Sequence, residues 1–398
     1  MKLEFFDRLP SYKAAQTSAS LLTPYISNDR LPRPFIWTFV VTRRCNSRCK
    51  MCNIWEEKDS PLLSLDQIRH MFGKDDFSFI RQMVLTGGEP TMRSDLPELF
   101  EIVREACPGL ERVELATSGL NTRRTLDHVR RMLETVERSP GRIKHFVVQV
   151  SVDGIGEMHD DIRGIAGFFG ILRKTLDGLA ELEEHYPILS RKLSCVLMPR
   201  NLGQVEPLRA MAREMRIPIY FSPVVMSGAY YRNLDDGGEL TFVSGEGRNG
   251  EAVQVFEALA RDEPSGVQFY YGDVSRMLQG ARRGRTCMMG YFGCILEYDG
   301  NVYPCVNYEM NSFGNLLEKS FDEIWFGPQA RSARGELRRQ GCPTCVSMCY
   351  TLPVNAGEVI QLAAQRIGRR LGRSSQTPES EHAHAHTPCL LGQSELEP

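Results

Sequence analysis

The sequence predicts an α/β fold: a partial (β/α)6, TIM-like barrel followed by a small cysteine-rich α+β extension. Three observations predict it. From Phe35 onward, β-branched and apolar runs alternate with helical patterns, which is typical of a parallel sheet with helices packed on it. The alternation gives six units, which indicates an open barrel rather than a closed eightfold one. Six of the 12 cysteines fall between residues 287 and 349, beyond the last unit.

Length and composition exclude several classes of protein. A chain of 398 residues can bury the core of one large α/β domain plus an appendage. The formal charge of -2 gives no indication of nucleic-acid binding, and no apolar run approaches the roughly 18 residues that span a bilayer. The N-terminus lacks the order of a signal peptide, so we expect a cytoplasmic protein without a membrane partner. Because the cytosol keeps thiols reduced, the cysteines predict metal or cluster binding rather than disulfides.

The barrel elements follow one another in a regular order. Helical stretches with apolar residues at three- and four-residue spacing separate the strands, as in "SDLPELFEIVREA", "NTRRTLDHVRRMLETV", "FFGILRKTLDGLAELEE" and "GQVEPLRAMAREM". The predicted strands are Phe35–Val41, Arg81–Thr86, Arg112–Thr117, His145–Val152, Leu193–Met198 and Ile217–Val224.

The chain divides into five predicted parts. They are an N-terminal extension (1–34), the barrel (35–225), a linker with one helix around Gly250–Arg261 (226–286), a cysteine-rich module (287–350) and a C-terminal helix with a disordered tail (351–398). The tail is polar and contains proline. Its His382, His384 and His386 are interpreted as a solvated run rather than a metal site.

Three cysteines follow the first predicted strand within eight residues. The stretch "TRRCNSRCKMCNIW" places Cys45, Cys49 and Cys52 in one loop. Three thiolates can hold three irons of a cubic iron–sulfur cluster and leave the fourth iron open to another molecule. Zinc is the alternative, but zinc usually takes a fourth Cys or His, and none lies between Asn53 and Arg69.

The C-x3-C-x2-C spacing resembles the signature loop of the radical S-adenosylmethionine (SAM) enzymes, and further matches end the later strands in that family's order. The resemblance implies that Cys45, Cys49 and Cys52 hold a [4Fe-4S] cluster whose open iron binds SAM. It implies that "TGGEP" contacts the SAM amine, with Glu89 as polar support, and that Met51 lies near the adenine. The remaining implied cofactor contacts are Gly87, Gly88, Pro90, Ser118, Ser151, Asp153 and Asn201. Gly87 and Gly88 also leave room for a close backbone approach.

Strand alternation extends this assignment into the barrel. Glu114 shares a face with Ala116 and Ser118, so we expect it inside the barrel. Two interpretations of Glu114 stay open: substrate binding or base catalysis, and an exposed edge or structural ion pair. Cys195 is predicted on the same face as Asn201, where a small buried apolar role is favoured over a hydrogen-atom donor.

The second cysteine group surrounds a predicted hairpin. The turn Tyr298–Asn301 joins two short β-like runs flanked by Cys287, Cys294 and Cys305, and "GCPTCVSMC" then adds Cys342, Cys345 and Cys349. This pattern resembles the SPASM/Twitch extensions of radical SAM enzymes. The resemblance implies one auxiliary [4Fe-4S] cluster held by Cys287, Cys305, Cys342 and Cys345, with Cys294 or Cys349 as possible replacements. A second cluster completed by Cys349 and Cys389, and a structural zinc, are the alternatives.

The resemblance implies an enzyme that reductively cleaves SAM to a 5′-deoxyadenosyl radical and abstracts hydrogen from a small-molecule or peptide substrate. It further implies an auxiliary cluster that assists and a one-electron donor such as flavodoxin or ferredoxin. Only about 34 residues precede the first strand, too few for an added leader-peptide domain, which favours a small molecule slightly. The alternatives are an iron–sulfur electron-transfer or cluster-carrier protein without radical chemistry and a zinc-stabilised binding module.

Overall fold

Nine strands are found in the described part of the chain, and the first six confirm the six predicted β/α units. The computed structural model describes residues 31–57, 62–138, 141–242, 248–263, 267–281, 287, 289–307, 312–339 and 345–347. The strands are β1 (Ile36–Thr42), β2 (Gln82–Gly87), β3 (Arg112–Thr117), β4 (His145–Ser151), β5 (Leu189–Leu197), β6 (Ile219–Pro223), β7 (Gly293–Leu296), β8 (Asn301–Tyr303) and β9 (Gly314–Asn315).

Helices connect the strands in the expected alternation. They are α1 (Leu65–Gly73), α2 (Leu96–Ala106), α3 (Thr122–Arg138), α4 (Glu157–Arg163), α5 (Phe168–His185), α6 (Val205–Glu214), α7 (Gly237–Leu240), α8 (Arg248–Asp262), α9 (Val267–Leu278), α10 (Phe321–Trp325) and α11 (Pro328–Arg339). Ser64 caps α1: its hydroxyl accepts from the backbone of Gln67, whose side chain accepts from the backbone N–H of Ser64. None of the helices that the structure describes is long and apolar enough to cross a membrane.

All the strands belong to one sheet with the order β6-β5-β4-β3-β2-β1-β7-β8-β9. Neighbours from β1 to β6 are parallel, and β7 adds to the free side of β1 in parallel, with Trp37 opposite Cys294. The antiparallel pairing of β7 with β8 confirms the predicted hairpin. The hairpin of the cysteine-rich module therefore extends the barrel sheet.

The two faces of the sheet differ in burial. Val113, Leu115, Val148 and Leu193 face the helices and are fully buried in the main core. On the opposite face, which lines the barrel interior, Ala116, Gln149, Ser151 and Ser194 keep part of their surface exposed. Glu114 shares the face of Ala116 on β3, which places it inside the barrel as predicted. The interior face thus carries polar side chains on β4 and β5, at Gln149, Ser151 and Ser194.

The predicted linker contains more structure than one helix. Helix α8 covers the predicted segment, but α9 follows it and packs against it through the rings of Phe256 and Tyr271, 6.0 Å apart. The prediction of a single helix was wrong because the apolar side chains of α9, three of which are aromatic, were not recognised as a helical stripe. Most of the N-terminal extension, the C-terminal segment with its histidines, and Cys342, Cys349 and Cys389 lie outside the described residues.

Candidate cluster and cofactor site

The cysteine loop after β1 is held on one side by the two glycines that end β2. The backbone N–H of Gly88 donates to the carbonyl oxygen of Thr42 at 2.8 Å, and that of Glu89 donates to Arg44 at 2.8 Å. A Cβ atom at Gly87 would lie 2.0 Å from the Thr42 oxygen, and one at Gly88 would lie 2.3 Å from the Arg44 oxygen. The close backbone approach expected at these glycines is therefore made to the cysteine loop itself.

The end of α4 holds the other side of the loop. Backbone N–H groups of Arg48 and Lys50 donate to the carbonyls of Arg163 and Ile162 at 3.0 and 2.9 Å. Gly164 then turns away with φ +70°, and a Cβ there would lie 2.6 Å from the Arg48 oxygen. The loop is thus fixed by backbone contacts on both sides.

The three thiols after β1 differ in burial. Cys49 is buried, and Cys45 and Cys52 are half-buried. Burial raises the pKa of Cys45 and of Cys52 to about 12, so both thiols would ionise at neutral pH only when a cationic centre binds them. Within the described ranges, no three Cys, His, Asp or Glu side chains are gathered closely enough to hold a single metal ion.

A buried ion pair stands beside Cys49. Arg163 donates from Nη1 toward Cys49 Sγ at 3.5 Å, and its Nη2 lies 2.6 Å from Asp153 Oδ2. Burial alone would lower the pKa of Arg163, but the Asp153 carboxylate outweighs it and raises that pKa. The guanidinium is therefore a fixed positive charge next to the thiols. Arg163 was not predicted from the sequence, since a single arginine at the end of a seven-residue helix gives no pattern.

Asp153 and Asn201 are both fully buried. Asp153 Oδ1 accepts from the Val196 N–H at 2.8 Å, and Oδ2 holds Arg163. The Asn201 amide donates to the carbonyls of Asp153 and Val196 and accepts from the Met198 N–H. The two side chains thus join the ends of β4 and β5, and Asp153 orients Arg163; a direct contact of either residue with the cofactor stays a prediction.

Glu89 connects the end of β2 to the end of β3. Its Oε1 accepts from the hydroxyl groups of Thr91 and Thr117 at 2.7 and 2.8 Å and from the Thr91 N–H at 3.1 Å. Its Oε2 accepts from the Ser118 N–H at 2.7 Å. The carboxylate thereby fixes Ser118 beside the TGGEP turn.

The other predicted cofactor residues are spread around the same rim. Pro90 starts a short buried turn after Glu89, and Ser151 ends β4 on the partly exposed inner face. Met51 is buried in a small apolar cluster with Cys49, Ile162 and Met198. The structure therefore brings the ends of β1 to β5 to one mouth of the barrel.

The predicted interior residues Glu114 and Cys195 have opposite surroundings. Glu114 lies 2.6 Å from Lys192 Nζ and 3.4 Å from Arg112 Nη2. Burial alone would raise the pKa of Glu114, but Lys192 and Arg112 outweigh it and hold that pKa below its usual range. An ion pair is thus present within the barrel. Cys195 pairs in register with buried Phe221 on the helix-facing side, where it has the surroundings of a small buried apolar residue.

A segment interpreted as linker covers the cysteine loop. The amide of Asn233, which is fully buried, donates to the Met51 carbonyl at 2.8 Å, and the Asn53 N–H donates to Tyr231 at 2.8 Å. Tyr230 donates its hydroxyl to the Gly87 carbonyl at 3.2 Å. These residues were not predicted from the sequence because their partners are about 140 to 180 positions away.

The second cysteine group lies close to the first. Cys287 and Cys305 pack against an apolar cluster of Val40, Ile54, Tyr230, Met289, Ile295 and Val306, and Cys45 and Cys52 pack against the same cluster. Asn307 donates to Cys345 Sγ at 3.0 Å. Cys294 lies on the other face of β7, fully buried in the main core opposite Trp37. Its prediction as an alternative ligand is therefore corrected, because it points away from Cys287.

Comparison with known families agrees with these two cysteine groups. The radical SAM superfamily matches residues 39–212, and the SPASM iron-sulfur cluster-binding domain matches residues 287–351. The chain belongs to the radical SAM superfamily and carries a SPASM domain. It is therefore an enzyme whose cofactors are a [4Fe-4S] cluster, SAM and auxiliary iron–sulfur clusters.

Two relatives and one solved structure show the extent of the similarity. The chain is 28% identical to Fe-coproporphyrin III synthase of Methanosarcina barkeri (75% of this chain, 74% of the relative). It is 25% identical to mycofactocin maturase MftC of Mycolicibacterium smegmatis (79% and 76%). The fold is similar to Streptococcus suis SuiB bound to S-adenosylmethionine, with a TM-score of 0.55 at 12% identity, covering 82% of this chain and 73% of SuiB.

Proposed function

We propose that this enzyme cleaves SAM reductively and abstracts a hydrogen atom from a substrate held inside the barrel. The observation that carries the proposal is the loop of Cys45, Cys49 and Cys52, held by backbone contacts on both sides next to the buried Arg163. When bound, the cluster and SAM supply the chemistry: one electron breaks a carbon–sulfur bond of SAM, giving methionine and a 5′-deoxyadenosyl radical that takes hydrogen from the substrate.

The chain's own residues bind the cluster and SAM, orient them and exclude water. Cys45, Cys49 and Cys52 are the proposed cluster ligands. Asp153 holds Arg163 beside Cys49, and Glu89 fixes the Ser118 backbone at the rim. The proposed SAM contacts are Met51, Gly87, Gly88, Pro90, Ser118 and Ser151. The apolar cluster that contains Tyr230 closes one side of the loop against solvent.

The substrate is proposed to occupy the polar interior below this rim. Ion-paired Glu114 and Lys192 lie there with the half-exposed side chains of Gln149 and Ser194. Such a surface suits a substrate with polar or charged groups. The relatives include Fe-coproporphyrin III synthase and mycofactocin maturase MftC, and the proposed substrate is a small molecule or a peptide.

The test measures 5′-deoxyadenosine. The full chain is purified without oxygen, reconstituted with iron and sulfide, and incubated with SAM and dithionite, which replaces the physiological one-electron donor. We expect product from the parent and from a Cys107→Ala control. Cys107 is buried, and it is far from both cysteine groups in the sequence. A Cys45→Ala/Cys49→Ala/Cys52→Ala chain is expected to give none.

Product from the triple variant would overturn the assigned ligands. A loaded parent that neither cleaves nor binds SAM would overturn the enzyme proposal and favour a cluster carrier. Binding is measured separately by equilibrium dialysis with labelled SAM, so that an absent substrate and an absent cofactor site are distinguished.

A further inference from the structure

Arg334 of α11 is a buried cation whose surroundings are unusual. Its side chain is 1% exposed and its guanidinium lies over the rings of Trp325 and Phe313, at 4.3 and 5.0 Å from their centroids. Nε donates to the Gly290 carbonyl at 2.6 Å and Nη1 donates to the Trp325 carbonyl at 2.9 Å. Nη2 has no hydrogen-bond partner among the described residues.

A buried guanidinium normally lies against a carboxylate, because an uncompensated charge in the interior is costly. Across the ranges that the structure describes, no carboxylate forms an ion pair with Arg334. Burial lowers the pKa of Arg334 to about 9, so the group is still charged at neutral pH. The neighbouring Cys294 does not supply the anion, since burial raises its thiol pKa well above its usual range. Among the described residues, therefore, no anion compensates the charge of Arg334.

Arg334 lies near the cysteines of the auxiliary module. Gly290, which accepts its Nε–H, is three residues after Cys287. A Cβ at Gly290 would lie 3.1 Å from Pro304, the neighbour of Cys305. Helix α11 ends at Arg339, three residues before Cys342. Arg334 is therefore anchored next to the chain segments that carry Cys287 and Cys305.

We infer that Arg334 compensates the negative charge of the auxiliary iron–sulfur cluster at Cys287 and Cys305 and raises its reduction potential. Reduction adds one electron to the cluster, and no bond forms or breaks. The added negative charge is stabilised by a nearby cation, so removing that cation favours the oxidised state. The inference depends on the auxiliary cluster and is independent of SAM cleavage.

The experiment uses the full-length Cys45→Ala/Cys49→Ala/Cys52→Ala chain, so that the auxiliary centre gives the iron–sulfur signal. After anaerobic reconstitution, iron and sulfide content are measured and the cluster is titrated with dithionite by electron paramagnetic resonance. In Arg334→Gln we expect the ratio of reduced to oxidised cluster at a fixed potential to fall about tenfold, a shift of about 59 mV for one electron. Arg331→Gln, an exposed arginine on the same helix, is the matched control and should equal the parent.

Arg334→Lys separates charge from packing. It keeps the positive charge but loses the planar contacts, so we expect a potential close to that of the parent. The inference would be overturned if the Arg334→Gln chain held a full cluster with the parent's reduction potential. It would also be overturned if the Arg334→Lys chain shifted the reduction potential as much as the Arg334→Gln chain does. If the Arg334→Gln chain does not bind a cluster, the Arg334→Lys chain provides the test. A bound cluster with the parent's reduction potential supports the charge role of Arg334, and failure to bind a cluster overturns it.

Discussion

The two cysteine regions each contain a buried arginine, but the groups around its guanidinium differ. Arg163 beside the SAM loop has its carboxylate, Asp153, at 2.6 Å. Arg334 in the auxiliary module contacts two carbonyls and two aromatic rings, and the described residues give it no carboxylate. The first region balances its charge with protein groups, whereas the second leaves a charge for its cofactor to balance. With the role inferred for Arg334, one buried residue type serves as a fixed ion pair in the first region and as part of a cofactor site in the second.

The largest expected effect tests this difference directly. In the cluster-free chain, Arg163→Met leaves the buried Asp153 carboxylate unpaired and should lower the free energy of unfolding by about 3–5 kcal/mol. Arg334→Met leaves only carbonyl acceptors and should cost about 1–3 kcal/mol. Urea unfolding followed by circular dichroism measures both. Equal losses would contradict the comparison.

Glu114 provides a paired charge outside both regions. Glu114→Gln leaves Lys192 and Arg112 without their carboxylate and should cost about 3 kcal/mol at neutral pH. The folded pKa of Glu114 is lowered, so its contribution is present above the usual value of 4.5 and disappears as the pH falls through the folded pKa. The difference between parent and variant should therefore shrink below about pH 4.5. Unfolding of the cluster-free chain across pH measures it, with exposed Glu239→Gln as control. A difference independent of pH would refute the ion pair.

The glycines test how tightly the SAM loop is held. A methyl group at Gly88 would meet the backbone oxygens of Arg44 and Arg43 at 2.3 and 2.6 Å, neither of which can rotate away. Gly88→Ala should therefore cost about 2 kcal/mol and reduce iron at the SAM loop while sparing the auxiliary cluster. Gly73→Ala is the matched control, because nothing lies within 4 Å of its added Cβ. Equal iron loss at both clusters would show that the two regions are not held separately.

Tyr230 gives the smallest expected effect. Tyr230→Phe removes the hydrogen bond to the Gly87 carbonyl but keeps the ring in the apolar cluster shared by both cysteine groups, so it should cost about 1 kcal/mol. The Tyr298 hydroxyl donates to half-buried Glu57 at 3.2 Å, so Tyr298→Phe should lower the free energy of unfolding by less. Thermal unfolding measures both variants. A larger loss of stability in Tyr298→Phe than in Tyr230→Phe would contradict the expected importance of the hydrogen bond to Gly87.

The sequence was most informative where structure depends on neighbours along the chain. Strand alternation placed Glu114 inside the barrel, and the paired glycines of TGGEP indicated a close backbone contact. The cysteine loop was recognised because its three ligands fall within eight residues. In each case the physical cause, a strand period or a steric limit, acts over a few residues.

The contacts that were missed depend on the tertiary fold. Arg163 reaches Cys49 across 114 positions, and Asn233 reaches Met51 across 182. No local pattern records which distant backbone group a buried amide or guanidinium will find. Cys294 was assigned with Cys287 by proximity in sequence, but the start of β7 between them sends its side chain to the helix-facing core.

The pairing of β7 with β1 has a consequence for dissecting this enzyme. Strand β1 is buried along its whole length, and among the described strands β7 pairs with one of its edges, from Ile36 to Phe39. A truncation before β7 would expose unpaired backbone groups along an apolar, β-branched and aromatic strand. Such an edge recruits other strands, so a barrel expressed without its C-terminal module should aggregate rather than remain as an isolated domain.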